Sequence, residues 1–147
     1  MRNAIAIARD ATRQNEVPIG AVITRAGKIV AAANNRTVRD QDATAHAEMI
    51  AIKDASAALD RWRLDDCTLY ITLEPCAMCA GAIVLSRISR VVFGAWDEKA
   101  GMAGSVGDIL RHPQLNHSPE VQGGLLAEQC AEMLRQFFEF KRGSMDR

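Results

Sequence analysis

The sequence has little of several features that mark specialised classes of protein. Its 147 residues contain no apolar run as long as a membrane-spanning helix, and the first residues lack the apolar stretch and cleavage site of a signal peptide. Eighteen basic and eighteen acidic residues cancel, so a nucleic-acid partner would need a local basic surface. The composition, 48% hydrophobic and 24% charged, argues against a disordered, collagen-like or coiled-coil chain.

Cysteine is also scarce, and its placement is informative. Of four cysteines, Cys76 and Cys79 form a C-x-x-C pair. In a chain without secretory features, this pair favours metal or redox chemistry in a reducing compartment over a disulfide framework. We therefore expect a cytoplasmic protein with no membrane partner, made of one domain over residues 1–147.

Strand and helix signals alternate along the chain. Hydrophobic spacing predicts helices over 2–14, 45–58, 75–85, near Ile109, and through Leu126 to Phe137, with Thr44 as the N-cap of the second helix. Hydrophobic spacing and turn residues predict strands over 17–24, 29–33, 68–73 and 91–93. A strand pair followed by alternating strands and helices predicts an α/β fold, a three-layer α/β/α sandwich around a mixed sheet.

Two short segments carry the residues with the most distinctive chemistry. Thr44-Ala45-His46-Ala47-Glu48 supplies an imidazole and a carboxylate, and Glu74-Pro75-Cys76-Ala77-Met78-Cys79 supplies two thiols. One imidazole and two thiolates are good zinc ligands, and three protein ligands leave a fourth position for water, as in catalytic zinc sites. Since His46 and Glu48 point in different directions on a helix, we expect Glu48 to approach that water and move protons.

Other uses of these residues have to be weighed. A structural zinc site needs a fourth ligand, but Cys67 lies at the far end of a strand, roughly 30 Å away by its length. Cys130 falls in the apolar stripe of the last helix and is interpreted as a buried structural thiol. A redox pair would not require the His46 segment. The combined H-x-E and P-C-x-x-C pattern is a known signature of zinc deaminases and favours catalysis.

With these motifs, the chain resembles the bacterial tRNA-specific adenosine deaminases of the cytidine deaminase superfamily. The resemblance covers about residues 16–142, including Glu16-Val17-Pro18-Ile19-Gly20-Ala21-Val22, Asn35-Arg36, Arg90-Val91-Val92-Phe93-Gly94-Ala95, Gly104-Ser105, Leu115-Asn116-His117 and Phe137-Phe138. It implies a cytidine deaminase-like fold with a mixed five-stranded sheet. It also implies hydrolysis of adenosine to inosine at the wobble position of the tRNA anticodon, in a homodimer with one zinc per subunit.

The resemblance also implies roles for individual residues. Zinc would be held by His46, Cys76 and Cys79, with Glu48 as the proton shuttle. The substrate would be bound by Asn35, Val17, Pro18, Ala47, Leu73, Asp97, Phe138 and Arg142, the last two contacting the anticodon loop. Trp96, where relatives usually carry a polar residue, could stack on a base or simply pack.

The metal motif does not by itself select the substrate. Deaminases of free bases or nucleosides, such as guanine or cytosine, share it, and only the later segments favour the tRNA branch. A zinc-stabilised binding module without catalysis is the non-enzymatic alternative. Gly101, Gly104 and Gly107 do not follow a strand in a dinucleotide-binding or Walker pattern, so we expect no nucleotide cofactor.

Overall fold

A central five-stranded sheet organises the chain. The computed structural model describes residues 1–145, so the last two residues of the predicted domain lie outside the described residues. The elements are α1 (Arg2–Thr12), β1 (Gly20–Arg25), β2 (Lys28–Asn34), α2 (Ala47–Leu59), β3 (Cys67–Leu73), α3 (Ala77–Leu85), β4 (Arg90–Ala95), β5 (Glu120–Gln122) and α4 (Ala127–Met145). The strand order is β2-β1-β3-β4-β5. β1 is antiparallel to β2 and β3, whereas β3, β4 and β5 are parallel, so the predicted mixed sheet is confirmed.

Helices cover both faces of this sheet. On one face α1 packs on β1 and β2 and α4 packs on β4, and the two helices share a small apolar cluster of Ile5, Ala95 and Cys130. On the other face α2 packs on β1 and β2, and α3 packs against α2. Fully buried residues such as Leu69 and Phe93 fill the core between the layers. The predicted three-layer α/β/α sandwich is therefore confirmed.

Cys130 shows how closely the helices approach the sheet. A Cβ on Gly94 of β4 would overlap the Cys130 sulfur and lie 2.8 Å from the carbonyl oxygen of Thr72. Cys130 itself is fully buried. Only glycine leaves room for α4 at this point, and the interpretation of Cys130 as a packing thiol agrees with its position.

Several elements differ from the sequence prediction: α1 ends at Thr12 and not at 14, α3 begins at Ala77 and not at 75, and α4 continues beyond Phe137 to Met145. Thr44 is not an N-cap, because its hydroxyl and backbone N–H both bond Asp42 Oδ1, at 2.7 and 2.8 Å, in a turn before the helix. His46 is the N-cap instead. β1 begins at Gly20 rather than Val17, because the Val17 carbonyl accepts the N–H of Ile19 in a tight turn. Ile109 lies in turns and not in a helix.

Two further observations complete the fold. β5 is three residues long, and its alternation is too short to have been recognised as a strand from sequence. Among residues 1–145, no helix combines the length and hydropathy needed to cross a membrane.

One edge of the sheet collects the chemically distinctive segments. Because β1 runs antiparallel to β2 and β3, its first residue lies beside the last residues of both. Gly20 pairs with Asn34, and its N–H donates to Thr72 Oγ1 at 3.1 Å. The segments after β2, β3 and β4 and the segment before β1 therefore meet at this edge.

Candidate active site

The N-termini of α2 and α3 bring together an imidazole and two thiols. His46 is the N-cap of α2, Cys76 is the N-cap of α3, and Cys79 lies in the first turn of α3. His46 Nδ1 lies 3.6 Å from Cys76 Sγ and 3.5 Å from Cys79 Sγ. All three ligand atoms lie within 4.8 Å of one another, so this group can hold a metal ion.

The electrostatics of the group favour one anionic sulfur. Hydrogen bonds from Cys79 and His46 lower the pKa of the Cys76 thiol to about 3. The bond that Cys79 donates to Cys76, together with burial, raises the pKa of the Cys79 thiol. The hydrogen bond with Cys76 raises the pKa of His46, against the effect of its own burial. Helix N-termini add to the stabilisation of a thiolate here, which prepares the sulfur for a metal.

Glu48 lies beside this group in a dry environment. It is 4% exposed, on the first turn of α2. Burial raises the pKa of its carboxyl, and a hydrogen bond with the Cys79 thiol opposes that shift. A carboxyl with a raised pKa next to a metal-binding group is suited to accepting and releasing protons.

Asn35 is hydrogen-bonded to Ala47, the residue that follows His46. Asn35 is 5% exposed, and its Oδ1 accepts the backbone N–H of Ala47 at 3.1 Å. Ala47 follows His46 directly and is fully buried. Within residues 1–145, hydrogen bonds engage only the oxygen of the Asn35 amide, so its NH₂ group is available to donate to a bound molecule.

Comparison with known proteins bears directly on this arrangement. Residues 1–142 match the sequence pattern of the MafB19-like deaminase family. A tRNA-specific adenosine deaminase of Bacillus subtilis (strain 168) is 50% identical over 138 residues, which cover 94% of this chain and 86% of the relative. The chain belongs to the tRNA-specific adenosine deaminase family. The sequence-based resemblance and the prediction of an enzyme are confirmed.

Solved structures of a tRNA deaminase and of a free-base deaminase differ in their similarity to this chain. A structure from studies of A-to-I editing at the wobble position of transfer RNA has a TM-score of 0.88 and 44% identity, covering 91% of this chain and 97% of that one. A guanine deaminase from Bacillus subtilis has a TM-score of 0.65 and 33% identity, covering 96% and 90%. The tRNA deaminases are thus nearer to this chain than that free-base deaminase.

Four other predicted substrate residues of this deaminase lie at the same edge of the sheet, before β1 or at the ends of β3 and β4. Half-buried Val17 and buried Pro18 precede β1. Leu73 ends β3 and packs partly against the α1–α4 cluster. Asp97 follows β4, and its Oδ1 accepts the backbone N–H groups of Lys99 and Ala100 at 3.0 and 3.2 Å. That side chain closes a turn in the loop after β4.

Trp96 and the α4 residues are more exposed. The Trp96 ring packs edge-on against Phe93, with centroids 4.7 Å apart, while the side chain stays 50% exposed. The structure therefore bears out the packing interpretation for one edge of the ring. Phe138 is 45% exposed, and Arg142 also lies on the surface of α4. This helix is in the layer opposite α2 and α3, and the roles of both residues stay predictions.

Two buried carboxylates at this edge were not recognised from the sequence. Glu74 is 2% exposed and accepts the backbone N–H groups of Asp97, at 2.9 Å, and Ser105, at 3.0 Å. Glu16 is fully buried and accepts the N–H of Arg39 at 2.7 Å. Glu16 directly precedes an apolar segment and Glu74 directly follows one, and a charge in such a place was the available signal.

Proposed function

We propose that this protein is a zinc-dependent hydrolase that deaminates adenosine to inosine at the wobble position of the tRNA anticodon. One observation carries the proposal: the His46, Cys76 and Cys79 group stands beside buried Glu48 in a member of the tRNA-specific adenosine deaminase family. We also propose that it acts in the cytoplasm as a homodimer, as the family resemblance implies.

Zinc suits the metal-binding group in both distance and chemistry. Tetrahedral coordination with Zn–S of about 2.3 Å and Zn–N of about 2.0 Å separates neighbouring nitrogen and sulfur ligands by about 3.6 Å. The observed separations from His46 Nδ1 to the two sulfurs are 3.6 and 3.5 Å. One histidine and two cysteines also leave a fourth position, so one zinc per chain would keep an exchangeable site.

Glu48 is proposed to carry the protons of the reaction. A zinc ion at this site would supply a water molecule of lowered pKa. Glu48 would accept one proton of a water molecule and pass it to the adenine ring as the water oxygen adds to C6. Glu48 would then accept the second proton, from the added hydroxyl, and pass it to the amino group, so that the C–N bond breaks, ammonia leaves and inosine keeps the oxygen.

The remaining residues are proposed to bind and select the base. The free NH₂ of Asn35 donates a hydrogen bond to the flipped adenine, beside the buried Ala47. Val17, Pro18 and Leu73 shape the pocket walls. Extraction of a base costs least in a single-stranded loop, which fits an anticodon substrate.

Contacts outside the pocket complete the proposed complex. Asp97 would lie by the sugar and the flanking nucleotides. Phe138 and Arg142 would contact the anticodon loop, because an aromatic face and a cation are the groups that bind unpaired bases and phosphates.

The test is a deamination assay with the purified, zinc-loaded protein. An anticodon stem-loop with adenosine at the wobble position is offered beside free adenosine, cytidine and guanine, with the Glu48→Gln variant as the control. We expect inosine only in the stem-loop and only with the unaltered protein. Turnover of a free base or nucleoside with the stem-loop untouched would retain the zinc chemistry and overturn the tRNA assignment. Zinc binding without turnover of any substrate would favour a binding module.

A further inference from the structure

We infer that Arg39 is a positioning residue for this reaction. Arg39 is held by the buried carboxylate of Glu16, and it in turn holds Asn35 in place. The inference rests on the proposed function, because it assigns the alignment of the adenine base to a contact outside the pocket. Neither residue touches the metal-binding group.

The anchor is a carboxylate that has no access to water. Glu16 is fully buried. It accepts the backbone N–H of Arg39 at 2.7 Å and the hydroxyl of Thr37 at 3.3 Å, and its Oε1 lies 3.9 Å from Arg39 Nε. A buried carboxylate is tolerated only when such donors and an opposite charge compensate its lost hydration. Glu16 therefore fixes where the backbone and the guanidinium of Arg39 lie.

The guanidinium in turn joins two separate segments. It donates to Asn34 Oδ1 at 2.7 Å, to the backbone carbonyl of Asn35 at 3.4 Å, and to the side chain of Gln14. The Arg39 side chain is 29% exposed, and the bond to the Asn35 carbonyl is partly buried. The segment before the pocket wall and the segment that carries Asn35 are thus held by one planar group, whose several fixed donors suit this task.

Asn35 is the point at which this network reaches the pocket. Its backbone N–H donates to the carbonyl of Ile19 at 3.2 Å, and its side-chain oxygen accepts the N–H of Ala47 at 3.1 Å. Arg39 adds the contact to the Asn35 carbonyl and the contact to the preceding residue. Without it, Asn34 loses the bond to its Oδ1 and Asn35 the bond to its carbonyl oxygen, so the direction of the free NH₂ group is less restricted.

Several contacts of this loop do not involve the Arg39 side chain. Arg36 and Asp40 form an exposed ion pair at 3.0 Å, and Asp42 bonds both the hydroxyl and the N–H of Thr44. These contacts, and the bonds that Glu16 accepts from the Arg39 backbone N–H and the Thr37 hydroxyl, remain when Arg39 is shortened, although Glu16 then loses its opposite charge. The specific loss is then the connection between Glu16 and Asn35, which is why a functional effect is expected beyond a structural one.

The test is a double-mutant cycle on the stem-loop substrate with zinc-loaded protein. Arg39→Ala should lower kcat about 10-fold, because a small displacement of an aligning group is costly, and should change KM by less than about 3-fold. In the Asn35→Ala background the same substitution should lower kcat less than about 2-fold, because the residue it acts through is gone. Arg39→Lys keeps the charge without the planar fork and should be intermediate.

A matched control removes another arginine from the far end of β1. Arg25→Ala breaks the ion pair with Asp66, at 2.6 Å, in a place remote from Asn35, and should leave kcat within about 2-fold of the unaltered protein. Independently of activity, the Asn35 side-chain NH₂ signal in a ¹H–¹⁵N spectrum should shift or broaden in Arg39→Ala and stay unchanged in Arg25→Ala. That signal is assigned from its absence in Asn35→Ala.

The outcomes separate this inference from the proposed function. If Arg39→Ala lowers kcat equally in the unaltered protein and in the Asn35→Ala variant, the positioning role is overturned. The same holds if Arg39→Ala raises only KM and that rise grows with salt concentration. An unaltered Asn35 signal in Arg39→Ala would do the same. If Arg39→Ala does not fold, an Arg39→Lys protein with unchanged kcat and spectrum refutes the role, and a graded loss supports it. Failure of the unaltered protein to deaminate the stem-loop would count against the proposed function, and the spectrum would still decide the contact.

Discussion

Replacing Gly101 by alanine should destabilise the fold, because the added methyl group has no room beside the buried carboxylate of Glu74. A Cβ at this position would overlap Glu74 Oε2 and lie 2.6 Å from the carbonyl oxygen of Asp97. Glu74 cannot move away freely, since its two oxygens accept the backbone N–H groups of Asp97 and Ser105. The loop after β4 is therefore held against the segment that leads into Cys76.

The size of the effect follows from two costs. Overpacking a tight site costs about 1–3 kcal/mol, and losing one hydrogen bond to a buried charged acceptor costs about 1.5–3 kcal/mol. Partial relaxation makes a total of about 3 kcal/mol reasonable. At about 2–4 °C per kcal/mol for a domain of this size, Tm should fall by about 10 °C.

Thermal unfolding followed by circular dichroism measures this change, with Gly143→Ala as the matched control. A Cβ on Gly143, in α4, meets nothing within 4 Å, so that variant should gain about 0.5–1 kcal/mol from helix propensity. In a Glu74→Ala background, Gly101→Ala should cost clearly less than in the unaltered protein. A Tm for Gly101→Ala equal to or above that of the unaltered protein would refute the close contact with Glu74.

The remaining predictions concern chemistry, metal, charge and RNA. Glu48→Gln should retain zinc and fold while kcat falls at least about 10²-fold, and substantial turnover in this variant would remove Glu48 from proton transfer. Cys79→Ala should lose zinc by metal analysis, whereas Cys67→Ala, a buried thiol outside the group, should keep it. Burial by itself would raise the pKa of the Asp66 carboxyl, but hydrogen bonds from Arg25 and Arg61 outweigh that effect, so this pKa is lowered. Asp66→Asn should therefore cost less than about 1 kcal/mol above about pH 5 in urea unfolding, and the difference should shrink below about pH 4 as the carboxylate protonates in the folded state. Arg142→Ala should reduce the salt slope of stem-loop binding by about one if that residue contacts a phosphate, and an unchanged slope would argue otherwise.

The metal-binding group was accessible from sequence because its chemistry depends on local spacing. Cys76 and Cys79 are one helical turn apart, so they share a side of α3 wherever that helix lies. His46 was connected to them only by the signature and the resemblance. Its position as an N-cap, and not inside the first turn, required the structure, because the turn made by Asp42 and Thr44 ends helix formation on that side.

The order of the strands and the contacts of single side chains could not be predicted from the sequence. β5 is too short to show a period, and its pairing with β4 depends on residues far apart in the chain. Trp96 was left with two interpretations; the contact with Phe93 supports packing of one ring edge, and stacking on a base stays a prediction. Such pairings are set by the packing of the whole molecule and leave no local pattern.

Local spacing in the sequence predicted the type of most elements, the three residues of the metal-binding group and the family of this protein. Hydrophobic periods and metal-ligand spacing act within a few residues, so they can be read directly from the chain. Tertiary structure alone decided that Glu16 reaches Arg39, 23 residues away, and that Glu74 reaches Ser105, 31 residues away. A buried carboxylate finds its donors wherever folding brings them, and here they lie on the two loops that carry Asn35 and Asp97.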